Sequence, residues 1–250
     1  MVTAPTWIAT GLAVLLLAAI ATTGLTTFRI PQPMAAATAL GRAIIQLAAL
    51  SLVLTGILRD PVWVGIGLGV MFVAATLTAT RRSRTGIRGA GALGAAMLLG
   101  PISVMTIAFA TGAIQFSPRY VLAVGGIVIG NTMTIAILTQ RVFRSSVDDH
   151  WDEVEGWLAL GASPRQSTLE LGRAAIRTAL LPSTDQTRTT GIVVLPGAFV
   201  GAIFAGASPL EAGRFQIVVL ACILAAGVLT AVTLVRMTGA VTERPVTSRR

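Results

Sequence analysis

The stretch WDEVEGWLALGASPRQS, Trp151 to Ser167, reads as a water-soluble helical hairpin inside a chain otherwise written for lipid. Asp148, Asp149, Asp152, Glu153 and Glu155 crowd around His150 at its start, while the residues before it are runs of Ala, Leu, Val, Ile and Gly. Over the 250 residues, hydrophobic side chains make up 54% and charged ones 12%, with a mean hydropathy of +0.81. A soluble domain carries about twice that share of charge. The hairpin is therefore the exception, and the apolar runs around it decide the fold.

Runs long enough to cross a bilayer, about 20 apolar residues each, fall at 6–28, 36–58, 61–80, 91–114, 119–141, 189–207 and 211–236. The expectation is an all-α, polytopic transmembrane bundle of about seven crossings, a single membrane domain over 1–250. All 19 basic residues are Arg, and their placement orients it. With the N-terminus outside, only Arg59, Arg119 and Arg214 face outward, and the other sixteen of the 19 face inward. Arg81, Arg82, Arg84 and Arg88 of the RRSRTGIR turn are among these inner residues. That asymmetry is the positive-inside pattern. It puts the C-terminus and the 144–188 hairpin in the cytoplasm and the chain in the inner, cytoplasmic membrane as a multi-pass protein. The pI near 11.7 is thus a topology signal, and no nucleic-acid partner is expected. No charge precedes Arg29, so the first 28 residues read as a retained crossing and not as a signal peptide.

Within the hairpin, Trp151, Val154, Trp157 and Leu158 recur at helical spacing and share a face. Gly161 allows a turn. Ser163, Pro164 and Gln166 then supply an N-cap, a first-turn proline and a capping-box partner. The second helix is expected to run through STLELGRAAIRTALLP and to end near Leu181-Pro182. Between Arg141 and Arg188 six arginines and seven acids nearly cancel. A near-neutral hairpin with an apolar stripe suits a protein partner better than an anionic lipid surface. A hairpin lying in the membrane interface is the alternative.

Other patterns are weaker. GAGALG at 89–94 lacks the strand that a dinucleotide site needs. With the G-x-x-x-G pairs Gly65/Gly69, Gly126/Gly130 and Gly197/Gly201 it reads as close helix packing, within the bundle or between two copies. His150, Asp149 and Glu153 share a helical face that could hold a hard cation; an acid-rich first turn complementing the helix dipole is the plainer reading. Cys222 is the single cysteine, so no intrachain disulfide forms. No cofactor is expected, and with no phosphate-binding G-x-x-x-x-G-K-[ST] loop the chain is not expected to be an enzyme. The candidate pathway groups inside the crossings are Gln46, Asn131, Thr132, Met133 (by its thioether), Thr134, Gln140 and Gln216. Pro196-Gly197 interrupts the sixth crossing and suits a hinge or cavity lining. Ser208 to Glu211 forms a second capping box, with Glu211 and Arg214 spaced to pair at an outer gate. A gradient-driven secondary transporter is one rival, disfavoured because the crossings hold no acid or His beyond Glu211 at the outer edge of the seventh, and no inverted repeat is evident. A scaffold that recruits a cytoplasmic protein is another.

Glu155, six residues before Gly161 and followed by Leu181-Pro182, resembles the EAA loop of ABC transporter permeases, although Gly156-Trp157 replaces the usual double alanine. RAIIQL (42–47), GNTMT (130–134), LALGASPRQ (158–166), AAIRTALLP (174–182), LPG (195–197) and SPLEAGRFQIVV (208–219) occur in that order. They resemble the Fet-type iron export permease family, which has plant aluminium-tolerance relatives. The resemblance implies a permease, paired as a homodimer in the lipid bilayer and energised by a separate ATP-binding subunit. It places the docking contacts at Glu155, Trp157, Leu158, Gly161, Ala162, Pro164 and Arg165. The family carries Met and Thr after its Pro-Gly, where this chain has Ala198, Phe199, Val200 and Ala202. The transported species, a metal ion such as iron or another small solute, is left open.

Overall fold

The computed structural model describes residues 4–57 and 60–245; Arg59, Arg249 and Arg250 lie outside the described residues, as does the side chain of Arg88. The chain divides into two compact units, Met1–Arg59 and Asp60–Arg250. Unit 1 is a helical hairpin of α1 (Ala4–Thr27) and α2 (Ala35–Ile57). Arg29 and Gln32 take positive φ in the turn between them. Leu15, Leu16, Leu17 and Ile20 of α1 are exposed, as a helix apolar on every side would be in lipid.

Unit 2 contains α3 (Pro61–Ser83), α4 (Gly86–Ala110), α5 (Pro118–Asp149), α6 (Trp151–Ala159), α7 (Pro164–Ser167), α8 (Leu169–Thr189), α9 (Gly197–Phe204) and α10 (Pro209–Thr238). One local device opens four of these helices. Asp60-Pro61, Ser117-Pro118, Ser163-Pro164 and Ser208-Pro209 each place an oxygen-bearing cap before a proline. The proline needs no hydrogen-bond acceptor in a first turn, and the cap side chain can serve the free N–H groups behind it. Asp60 accepts from Val62 N at 2.9 Å. Among the described residues, five helices are long and apolar enough to cross a membrane: α1, α3, α4, α5 and α10. The apolar part of α2, Ala35–Ser51, is shorter.

α10 is the hub of unit 2, packed against α4, α5, α8 and α9, while α3 lies on α4 and α5. The side-chain distribution suits lipid. Small residues fill the inside, including Ala75, Ala79, Ala96, Ala136, Ala226 and Ala231, whereas Val70, Ile102, Ile107 and Ile217 point outward. In a bilayer, burying apolar surface gains little, and close backbone approach with good packing holds helices together. Side-chain hydroxyls turn back on their own helices: Thr78, Thr132, Thr187 and Thr189 each donate to the carbonyl four residues earlier. No water is needed to satisfy them.

The glycines that pack tightly are not those of the G-x-x-x-G spacings. Cβ atoms built on Gly65, Gly69, Gly130, Gly197 and Gly201 would meet nothing within 4 Å, and on Gly126 only the tip of Met71. The close approaches are at Gly100, Gly125, Gly172 and Gly227. A three-residue spacer marks a smooth stripe, but only a facing helix makes it a contact.

Candidate functional site

The arginine-rich end of unit 2 is built first. Arg141 Nε donates to Arg82 O at 3.0 Å and Arg144 Nη1 to Arg84 O at 2.7 Å. These bonds tie α5 to the carbonyl end of α3, where cations are favoured. α5 continues to Asp149, and His150 caps it, with Nδ1 donating to Ser146 O at 2.9 Å. Among the described residues no group of three His, Cys, Asp or Glu is arranged to hold a metal. Asp148 instead receives Arg244 Nε at 2.7 Å, and that bond and charge push the Arg244 guanidinium pKa up.

α6 then turns the chain outward. Trp151 and Val154 face inward, Trp151 packing on Phe143, Val147 and Ala175. Leu158 is half-buried, while Trp157 is 58% and Leu160 83% exposed. The face expected from spacing is therefore split: its first half anchors the hairpin and its second half is displayed. The tip is held rigidly. Gly161 N donates to Leu158 O and Ala162 N to Trp157 O, with Gly161 at φ +91, a Schellman motif that leaves the left-handed position to glycine. Ser163 N and Oγ both donate to Gln166 Oε1 at 2.8 Å, forming the expected capping box. Trp157, Leu160, Gly161, Ala162 and Gln166 surround a shallow depression of about 360 Å³. Pro164 is half-buried at the start of α7, and Glu155 and Arg165 are exposed beside it. Gly161→Ala should cost about 1–2 kcal/mol, the usual cost of a left-handed L-residue. We expect hydrogen exchange to quicken over 157–166 while α10 keeps its protection.

The second helix of the hairpin does not end at Leu181-Pro182. α8 carries Pro182 in its interior and continues to Thr189. Its buried stripe of Gly172, Ala175, Ala179 and Ser183 runs on past the proline, so packing against α5 and α10 holds the helix where local sequence would stop it. α8 and α10 are antiparallel in an even register. Thr168 Oγ1 donates to Gly239 O at 2.5 Å. A Cβ on Gly172 would meet Val235 Cγ1 at 2.7 Å, and one on Gly227 would meet Leu180 Cδ2 at 3.3 Å. The same steps carry Asp185 to the level of Cys222 and Arg188 to that of Val219, about the middle of α10.

The eight polar residues Ser183 to Thr190 thus lie beside membrane helices, not at the arginine-rich end where Arg188 was expected. The segment 189–207 is no continuous helix. Thr189 O accepts from Val193 N and Val194 N, Gly191 N donates to Val194 O, and α9 begins only after Pro196. Phe199 of α9 reaches the level of Gly213 on α10. In place of the single helix expected at 189–207, the structure has the C-terminal end of α8, a break at 190–196, and the short α9. Pro196-Gly197 marks the end of that break. Asp185, level with the middle of α10, lies 3.6 Å from Arg188, with side chains 63% and 74% exposed. Either ion at a bilayer centre costs roughly 2.5–3.5 kcal/mol when it faces lipid.

The remaining candidates do not converge on one place. Asn131 Nδ2 donates to Ile127 O at 2.8 Å, while Met133 packs into the core beside Ala75 and Ile137. Thr132 is buried, Thr134 donates to Gly130 O, and Gln140 Oε1 accepts from Thr238 Oγ1. Gln216 is buried with its Oε1 unpartnered. Gln46 is exposed on α2 in unit 1. At the far end of unit 2, Glu211 Oε2 accepts from Ser208 N and Oγ. Arg214 Nη2 donates to Ala113 O at 3.3 Å, while its charge still acts on Glu211. Both line a vestibule of about 770 Å³ with Gln115, Arg119 and Tyr120. Sequence reasoning missed Asp185 and Arg188; the signal was the polar run directly after Pro182.

These features define a multi-pass α-helical membrane protein with a tightly capped helical hairpin at its arginine-rich end and a helical path broken at 190–196. Residues 7–241 match the model of UPF0014, described as an uncharacterised protein family, and the chain belongs to that family. It is similar to the "UPF0014 membrane protein STAR2" of Oryza sativa subsp. japonica, 36% identical over 196 residues covering 78% of this chain and 69% of that protein. It is 34% identical to "Protein ALUMINUM SENSITIVE 3" of Arabidopsis thaliana over 194 residues, 77% and 71% of the two chains. It is 32% identical to the "Probable iron export permease protein FetB" of Escherichia coli (strain K12) over 195 residues, 77% and 75% of the two. No solved structure matches it.

Proposed function

We propose that this chain is the membrane-spanning permease subunit of an ABC transporter, working as a pair of copies and energised by a separate ATP-binding subunit. The observation that carries this is the displayed apolar knuckle of Trp157 and Leu160, on a tip locked by Gly161 and the Ser163–Gln166 box. The tip is carried by α6 and α7, which join α5 at His150 and α8 at Thr168, and the inward-packed Trp151 and Val154 seat it on the bundle that a push would have to move. The hairpin is cytoplasmic, the N-terminus outside and the C-terminus inside, in the inner membrane. The arginines at the shared end of α3, α5 and α10 support that orientation. The crossing number is seven, the sixth being the α8–break–α9 composite. The docking contacts are Glu155, Trp157, Leu158, Gly161, Ala162, Pro164 and Arg165. The hinge is at Pro196-Gly197, and Glu211, Arg214 and Gln216 belong to the outer part of the pathway.

The name of the Escherichia coli relative makes iron export the first activity to test. Ala198, Phe199, Val200 and Ala202 offer no ligand for a dehydrated metal ion, so a small polar solute is tested beside it. Asp185 at mid-depth favours one second reading, a gradient-driven transporter. One experiment separates the two. The phosphate-loop ATPase encoded nearest this chain is co-expressed, co-purified and reconstituted with it, and ATP turnover is measured with iron titrated in. Stable capture with turnover raised several-fold by the permease is expected, and failure of any such ATPase to bind sinks the ABC reading.

A further inference from the structure

We propose that Asp185 and Arg188 line a water-filled passage at the middle of the membrane and contact a charged or strongly polar solute as it crosses. The inference rests on the permease reading above and assigns that permease its mid-depth polar site.

Three observations meet here. The first is depth. The even pairing of Thr168 with Gly239, Gly172 with Val235 and Leu180 with Gly227 brings Asp185 level with Cys222, half-way along the apolar helix α10. The second is exposure. Both side chains are largely uncovered by this chain, and their mutual contact at 3.6 Å is too long to neutralise either ion. Two uncovered ions at that depth cannot face hydrocarbon; ionisable residues inside membranes face a bundle interior or a wet cavity. The third is the break that follows. Residues 190–196 leave the helix one turn beyond Asp185, and the same register sets them level with 211–217 at the Glu211–Arg214 end of α10, so the exposed face of α8 leads from Asp185 toward open backbone at that end.

The lining also has a chemical character. Asp185 and Arg188 lie on one face of α8, four and seven residues after Leu181, with half-buried Thr184 beside them. These are oxygen and nitrogen groups with no net charge, and no thioether stands among them. Such a lining does not strip a soft metal ion of its water. It suits a solute that keeps its hydration shell, or one that carries both signs of charge, such as a metal held by a carboxylate chelator.

The test is thiol accessibility in sealed native membranes. Cys222→Ala provides the background, since Cys222 is buried and free. Asp185→Cys and Arg188→Cys are each placed on it, and Leu181→Cys probes the same face with both charges intact. Ile102→Cys, outward-facing on α4, is the lipid control. A charged, membrane-impermeant methanethiosulfonate reagent attacks only ionised thiols, which need water. The passage requires at least one of the 181, 185 and 188 cysteines to react ten-fold or more faster than Cys at 102. Reaction of all three no faster than the control overturns the proposal. The outcome is separable from that of the ATPase experiment. A bound, stimulated ATPase without labelling keeps the permease and removes the passage from α8. Labelling without a bound ATPase keeps the passage and assigns it to a gradient-driven carrier.

Discussion

Replacing Gly100 by leucine should prevent stable folding of the bundle. A Cβ at this position would lie 2.7 Å from the Ala226 carbonyl oxygen and 2.6 Å from Thr230 Oγ1. The threonine hydroxyl can rotate away, but the carbonyl belongs to α10 and cannot move without its helix. Ordinary carbon–oxygen contact would require α4 and α10 to part by several tenths of an ångström along a closely packed seam. Overpacking of this kind costs roughly 1–3 kcal/mol for added methylenes, and a leucine adds three further carbons in the same direction. In a bilayer little opposes the separation except packing itself. The expected result is loss of the monodisperse peak in detergent, or a fall in melting temperature of ten degrees or more. Gly65→Leu is the matched control, because nothing lies within 4 Å of its Cβ position. Equal stability of the two variants would mean that α4 and α10 do not approach as described.

Replacing both Trp157 and Leu160 by glutamate should abolish capture of the ATP-binding subunit while leaving the permease folded. Both side chains are exposed, so their removal takes nothing from the core, and a surface substitution of this kind stays within about 0.5 kcal/mol of neutral. At an interface the same residues are the natural anchors, since a few central aromatic and large apolar contacts dominate binding. Loss of one such anchor commonly costs about 2 kcal/mol or more, thirty-fold in affinity, and the pair together should reduce co-purification below detection. Val154→Glu is the contrasting variant. Val154 is buried beneath the hairpin and should disturb the fold itself. Wild-type ATPase capture by the doubly substituted chain would remove the hairpin tip from the interface.

What could be read in the residues alone was whatever a few neighbouring atoms decide. Helix starts were legible at Ser163-Pro164 and Ser208-Pro209, because a cap is a bond between residues two or three apart. The turn at Gly161 was legible for the same reason, and the membrane class follows from hydropathy, since lipid leaves a chain few options. Trp157 stood in an apolar face by its spacing, but spacing did not say which half of that face the bundle would cover. Asp185 and Arg188 were assigned to the hairpin because Pro182 looks like a helix terminator. α8 passes through that proline because Ala179 and Ser183 continue a stripe that α5 and α10 bury. Gly100 stood in no recognisable spacing, whereas Gly65 and Gly69 did and touch nothing. Caps and hydropathy are local quantities. Depth in the bundle, closeness of two helices and the exposure of an ion are set by residues tens of positions away, and only their packing decided them.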